Sequence, residues 1–175
     1  MKLLYVGPEE RREYLQNKAS PGTEVDARGV TEGPATIESM YDEYLYIPGL
    51  LQVERWAETA GYDAVITGCF GDPGIDVARE LISIPVVAPG ESSMLVAASL
   101  GHRFSIVTVL ENVVRPLRNL AKLVGVDSKL ASVRPIGLSV QTVRDDKALG
   151  LKKAVQVCRK AIEQDDADVI IMGCG

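Results

Sequence analysis

Short continuous apolar runs alternate with amphipathic stretches along this chain. Leu3-Leu4-Tyr5-Val6 predicts a buried strand that ends at Gly7-Pro8, and the polar stretch from Glu9 to Lys18 is helix-prone. Thr23 to Ala27 alternates like a short second strand. Gly33-Pro34 breaks the chain, residues 36 to 46 read as helix, and Pro48 is expected to open another helix that Gly61 stops. Ala64 to Thr67 is a third strand, Pro73 to Leu81 a helix, Ile84 to Val87 a fourth strand despite its proline, and Ser93 to Leu100 a helix closed by Gly101. The pattern then restarts. Phe104 to Thr108 reads as strand, Val113 to Val124 as helix, Ala131 to Ile136 as strand, Asp146 to Glu163 as helix, and Val169 to Met172 as a last strand. Alternating strands and helices, with strands that are apolar throughout, predict an α/β fold of parallel sheets with helices on both faces.

One internal repeat organises the chain. Asp63-Ala64-Val65-Ile66-Thr67-Gly68-Cys69 matches Asp168-Val169-Ile170-Ile171-Met172-Gly173-Cys174, an Asp leading into a strand and a Gly-Cys closing it. The repeat predicts two pseudo-symmetric α/β lobes, residues 1–100 carrying Cys69 and residues 101–175 carrying Cys174. It places one thiol at the carboxyl end of a strand in each, where open α/β sheets bind ligands. After Cys69 the chain runs on to Gly101 before the next lobe starts, whereas only Gly175 follows Cys174. The second lobe is therefore expected to be truncated by about one helix-strand-helix unit, leaving this chain less stable and less active than a longer one.

Composition narrows the classes. The 175 residues are 46% hydrophobic and 25% charged with a net charge of −5, which excludes disorder and fits a packed core. No apolar run reaches the ~20 residues of a membrane helix, and the amino-terminal run is too short for a signal peptide. A cytoplasmic protein with reduced thiols is the expectation. The acidic balance argues against a nucleic-acid partner, and one His with three Cys argues against a structural zinc site.

The cysteines carry the candidate chemistry. Gly68 lets backbone and substrate approach Cys69, and a helix starting at Pro73 would lower the thiol pKa through its positive end. A small buried apolar role is the alternative for one such Cys, and matched positions in a repeat weigh against it for two. Cys158 shares a helix face with Leu151, Ala154, Val155 and Ile162 and is expected in the core. Ser92 and Ser93 follow the fourth strand through a Pro-Gly turn, facing the ligand or capping a helix. Thr108 ends a strand on the same edge, with β-propensity as the rival explanation. Asp72 before Pro73 reads as a helix cap, Glu38 as a solvated helix-start carboxylate, and His102 lies away from the carboxyl ends. Tyr41, Tyr44 and Tyr46 suggest packing or a subunit contact.

Four segments in this order, Gly33-Pro34-Ala35-Thr36-Ile37-Glu38-Ser39, Gly68-Cys69-Phe70-Gly71-Asp72-Pro73-Gly74, Gly101 to Thr108, and Met172-Gly173-Cys174-Gly175, resemble the hydantoin racemases of the aspartate/glutamate racemase superfamily. The resemblance implies racemisation without cofactor or metal by two cysteines, Cys69 and Cys174, on opposite faces of a small-molecule substrate in a cleft between two lobes. A homo-oligomer is expected. Gly7 and Pro8 stand where the family carries an Asn-Pro-Asn turn that contacts substrate. Phe70, Gly71 and Gly175 follow the cysteines where relatives acting on free acidic amino acids carry Asn-Thr. These positions imply an uncharged, ring-closed substrate such as a 5-substituted hydantoin or related cyclic ureide. Two thiols of opposite protonation suit that reaction, one removing a proton next to a carbonyl and the other returning one. An aspartate/glutamate racemase, a maleate-type isomerase, a one-thiol decarboxylase and a non-catalytic binding protein are the alternatives.

Overall fold

The computed structural model describes residues 1–173. Cys174 and Gly175, the expected second thiol and its neighbour, lie outside the described residues. The elements in chain order are β1 Lys2–Val6, α1 Arg12–Gln16, β2 Glu24–Arg28, α2 Met40–Thr59, β3 Ala64–Thr67, α3 Ile75–Leu81, β4 Val86–Val87, α4 Pro89–Leu100, β5 Phe104–Thr108, α5 Val114–Val124, β6 Leu130–Pro135, α6 Val140–Asp145, α7 Lys147–Asp165 and β7 Val169–Met172. They form an α/β fold of two wholly parallel sheets flanked by helices. No described helix is long and apolar enough to cross a membrane. The chain divides into two compact units: residues 1–35 with 41–89, and residues 36–40 with the chain from Gly90 onward.

The first unit holds the sheet β2-β1-β3-β4. Leu4 and Val6 of β1 and Val65 of β3 project from one face onto Leu50, Val53 and Ala57 of α2 and Ala78 of α3, all buried. Full burial of each large aliphatic side chain contributes roughly 1.5–3 kcal/mol, which makes this layer the anchor of the sheet edge that carries Cys69.

The second unit holds the sheet β6-β5-β7, with every residue of the central strand β5 buried. Its polar seam runs from Ser105 through Ser132 (Oγ–Oγ 2.8 Å) to Asp165, whose Oδ2 accepts from Ser132 at 2.6 Å. Asp165 also pairs with the Arg134 guanidinium, Nη2 donating to Oδ1 at 2.7 Å. That hydrogen bond, more than any other cause, pulls the Asp165 carboxyl down to about 2.

The repeat seen in the sequence recurs in the ladders. β1 lies between β2 and β3 as β5 lies between β6 and β7. The repeated aspartates latch the starts of the central strands. Asp63 Oδ2 accepts from Lys2 N–H at 2.6 Å, and Asp168 Oδ2 accepts from His102 and Arg103 N–H at 2.8 and 3.0 Å. The two backbone bonds lower the Asp168 pKa. At the other end Gly68 N–H donates to Val6 C=O at 2.9 Å, and Gly173 N–H donates to Val107 C=O at 2.7 Å.

Several local expectations are corrected. The break expected at Pro48 is absent, and α2 runs through it. An interior proline costs about 3 kcal/mol, but Tyr46, Leu50, Val53 and Ala57 keep one continuous packed stripe across it, and that burial outweighs the lost bond. The helix expected from Pro73 starts at Ile75, because Gly74 at φ 69° turns the chain left-handed just before it. Asp72 is therefore not the cap. It is buried with φ 52°, and its carbonyl accepts from Ile75 N–H at 3.4 Å. The fourth strand shrinks to Val86–Val87. Pro89-Gly90 is the first turn of α4 rather than a loop, since proline suits a first helical turn.

In the second unit α6 was not foreseen. Ser139 caps it by accepting from Thr142 N–H at 3.1 Å, and Glu38 accepts from Val140 N–H, so Glu38 is a backbone acceptor and not a solvated carboxylate. α4 groups with this unit, where Lys129 Nζ donates to the carbonyls of Ala98 and Gly101 at 2.5 and 3.2 Å. Most of the α7 face expected in the core is turned outward: Leu151, Val155 and Ile162 are 68%, 45% and 53% exposed, and Cys158 is half-buried beside Met172. Ala154 of that expected face is buried, and Gly150 and Ala161 complete the buried side of the helix, Gly150 against Val143 of α6.

Candidate functional site

Cys69 follows β3 after one residue, Gly68, at the carboxyl edge of the first sheet. The last strand residue, Thr67, is buried and donates through Oγ1 to Glu54 Oε1 of α2 at 3.0 Å. This bond and the Gly68–Val6 ladder bond fix the turn that presents the thiol. The Cys69 carbonyl accepts from Asp72 N–H at 3.1 Å, closing the turn from the other side.

Gly68 is needed for space beside the thiol, whereas Gly71 faces the flexible end of the Glu43 side chain. A Cβ at Gly68 would meet Val6 O at 2.5 Å and Tyr5 Oη at 2.9 Å. A Cβ at Gly71 would meet Glu43 Oε1 at 2.7 Å, with Cys69 Sγ 3.9 Å away. Gly68→Ala must shift backbone to relieve the first contact, so it is expected to destabilise the first unit by about 1–3 kcal/mol, read from the urea midpoint. An unchanged midpoint would contradict this packing.

The surroundings of Cys69 are aromatic and acidic. Burial raises the Tyr46 phenol to about 12, with further contributions from the charges of Cys69, Tyr5 and Glu54. Burial also raises Tyr5, Arg11 opposes it, and the Cys69 and Glu10 charges add to it. Glu43 is raised by burial and then by the charges of Asp42 and Asp72. Glu54 is only 1% exposed and is pushed up to about 7 by burial, against the Thr67 hydrogen bond. Its Oε2 is buried without a hydrogen-bond partner.

The other sequence-named positions fall as follows. Gly7 is buried with its N–H donating to Arg28 C=O at 2.9 Å, and Pro8 is half-buried after it. Phe70 and Gly71 are half-buried in the Cys69 turn. These four share the first unit with Cys69. Ser92 and Ser93 are half-buried inside α4, so the Pro-Gly turn expected to present them does not exist. Thr108 is buried at the end of β5, its carbonyl accepting from Ile136 N–H at 2.8 Å. The helix invoked to polarise Cys69 starts at Ile75, six positions beyond it. Tyr41 and Tyr44 are exposed, whereas Tyr46 packs on the core beside the thiol.

Tyr5, Glu43 and Glu54 were missed by sequence reasoning. Glu54 left a signal, a carboxylate on the same α2 stripe as Leu50 and Ala57. Tyr5 read as one more apolar residue of a strand, and nothing in the sequence singled out Glu43. Among the described residues, no group of three or more His, Cys, Asp or Glu comes together to hold a metal. A separate groove of about 550 Å³, lined by Arg12, Asp26, Arg28, Trp56 and Tyr62, does not include Cys69.

The family model for Asp/Glu/hydantoin racemase matches residues 9–175. A hydantoin racemase from Pseudomonas sp. (strain NS671) is 37% identical over 159 residues, which are 91% of this chain and 64% of that protein. A hydantoin racemase from Paenarthrobacter aurescens is 32% identical over 182 residues, covering 99% of this chain and 77% of the relative. The allantoin racemase structure from Klebsiella pneumoniae superposes with a TM-score of 0.94 at 30% identity, covering 99% of this chain and 74% of that one. This chain thus spans just under two thirds of the length of the Pseudomonas relative.

Proposed function

The chain belongs to the Asp/Glu/hydantoin racemase family, and from that premise we propose that it racemises a small ring-closed substrate, a 5-substituted hydantoin or related cyclic ureide, with Cys69 and Cys174 as its acid and base. One thiolate removes the proton from the ring carbon next to a carbonyl. The electron pair moves onto the carbonyl oxygen, and the other thiol delivers a proton to the opposite face as the enolate collapses. The two thiols exchange roles between the two directions, so the step consumes no cofactor. Gly7, Pro8, Phe70, Gly71, Ser92, Ser93, Thr108 and Gly175 are the proposed substrate contacts. The same reading takes the protein as a cytoplasmic homo-oligomer.

The observation that carries this reading is the matched ladder end. Gly68 and Gly173 make the same backbone bond to the central strand of their sheets, each one residue before a cysteine of the sequence repeat. The substrate class is supported by Glu43, which lies against Gly71 of the Cys69 turn, and by the buried Asp72 in the same turn. Carboxylates next to the reacting centre repel the two carboxylates of an acidic amino acid and tolerate a neutral ring. The relatives named hydantoin racemase and allantoin racemase point the same way.

The test is deuterium incorporation in D₂O into 5-substituted hydantoins, allantoin, aspartate and glutamate, each as a pure enantiomer. Exchange with inversion in a cyclic ureide, and none in the acidic amino acids, is expected. Exchange in aspartate or glutamate alone would contradict the substrate class.

A further inference from the structure

Tyr5 is a strand residue on the face of β1 opposite Leu4 and Val6, half-buried where those two are fully buried. Its ring reaches over the carboxyl edge of the sheet. A Cβ at Gly7 would meet Tyr5 Cε1, Cζ and Oη at 2.7, 2.8 and 2.9 Å, and a Cβ at Gly68 would meet Oη and Cζ at 2.9 and 3.0 Å. The phenol therefore occupies the space that side chains at positions 7 and 68 would fill, and Cys69 is the next residue after Gly68. A larger residue at either glycine would expel the ring. The two glycines and the tyrosine form one arrangement, with a hydroxyl laid against the turn that holds the thiol.

We propose that Tyr5 is the substrate-orienting, specificity-determining donor of this site: its O–H donates to the ring carbonyl next to the carbon that Cys69 deprotonates or reprotonates. The proposal rests on the racemase reading above and deepens it. When Cys69 takes the proton, negative charge develops on that carbonyl oxygen, and a donor already in place stabilises the transition state more than the ground state. The donor must stay protonated while the thiol ionises. Burial and the neighbouring Cys69 charge both hold the Tyr5 proton on. A phenol is also an uncharged donor, which suits a neutral ureide carbonyl, whereas a carboxylate substrate is matched better by a cation. Position 7 then needs no polar side chain of its own, because the hydroxyl of Tyr5 is delivered to that place from two residues earlier.

Tyr5→Phe keeps the ring over Gly7 and Gly68 and deletes only the O–H. With an enantiopure 5-substituted hydantoin as probe, kcat is expected to fall about 10²–10³-fold, the loss typical of one oxyanion donor, while KM and the melting temperature change little. Gly7→Ala is the companion variant. Its Cβ pushes the phenol away without removing the hydroxyl, and kcat should fall again. Wild-type kcat in both variants would overturn the role of Tyr5 and leave the racemase reading standing. A raised KM with unchanged kcat would overturn the transition-state donor in favour of simple contact. Absence of exchange in every cyclic ureide with the wild-type protein would overturn both readings together.

Discussion

Cys69→Ser is expected to lose racemisation by about 10²–10⁴-fold, the range a positioned acid or base supplies. A hydroxyl is far less acidic than a thiol near ~8.5, so almost no alkoxide forms at neutral pH and one face of the substrate is left unserved. The fold should not respond, because Ser fits wherever Cys fits between Gly68 and Gly71. Polarimetry on one enantiomer reads the loss, and thermal melting checks the fold. Cys174→Ser should lose activity to a similar extent. Cys158→Ser is the control: that thiol sits on α7 beside Met172 Sδ at 4.0 Å, and burial pushes its pKa up, so its replacement should leave turnover unchanged. Retained turnover in Cys69→Ser would contradict the assignment.

Glu54 is expected to give the protein a stability that falls with rising pH. Its folded pKa is pushed up to about 7, chiefly by burial, while the unfolded chain ionises the same group near ~4.3. Between those values the unfolded state has released a proton that the native state still holds, so stability declines as pH rises from about 4.3 and levels off above about 7. The decline due to Glu54 is about 3 kcal/mol. Burial disfavours the charged form, and Oε2 has no partner to offset the loss of water. Glu54→Gln keeps an acceptor for Thr67 and cannot ionise. Urea unfolding of both proteins at pH 4.5 and 8 should show the wild type losing about 3 kcal/mol more than the variant across that interval. Parallel pH profiles would contradict the buried position of this carboxylate.

Much of the fold was legible because its strands are short apolar runs bounded by Gly and Pro. The strand from Ala64 to Thr67 and the last strand from Val169 to Met172 were placed at their observed ends. The repeat was legible for the same reason, but its aspartates were read only as markers. In the structure they are acceptors for the first backbone N–H groups of the central strands. Local rules failed where packing overrides them. Pro48 breaks a helix by propensity, yet α2 continues because Tyr46, Leu50 and Val53 share one core. The outward turn of Leu151, Val155 and Ile162 was illegible because a single helix pattern does not say which of two faces meets the sheet.

The candidate site was legible at its cysteine and illegible around it. Cys69 was marked by Gly68, by the strand end and by its counterpart in the repeat. Tyr5, Tyr46 and Glu43 come near the thiol turn from β1 and α2, and only the folded chain brings those segments together. Periodicity assigns residues to faces within an element and carries no information on which elements converge at a sheet edge.

Cys69 and Cys174 are proposed to serve opposite faces of one ring carbon. Proton NMR of each pure enantiomer of a 5-substituted hydantoin in D₂O, with Cys69→Ser and with Cys174→Ser, tests it most directly. The remaining thiol can abstract and return a proton on its own face, so each variant should exchange deuterium into one enantiomer only, and the two variants should choose different enantiomers. The same enantiomer preference in both variants, or continued inversion in either, would contradict the two-face assignment.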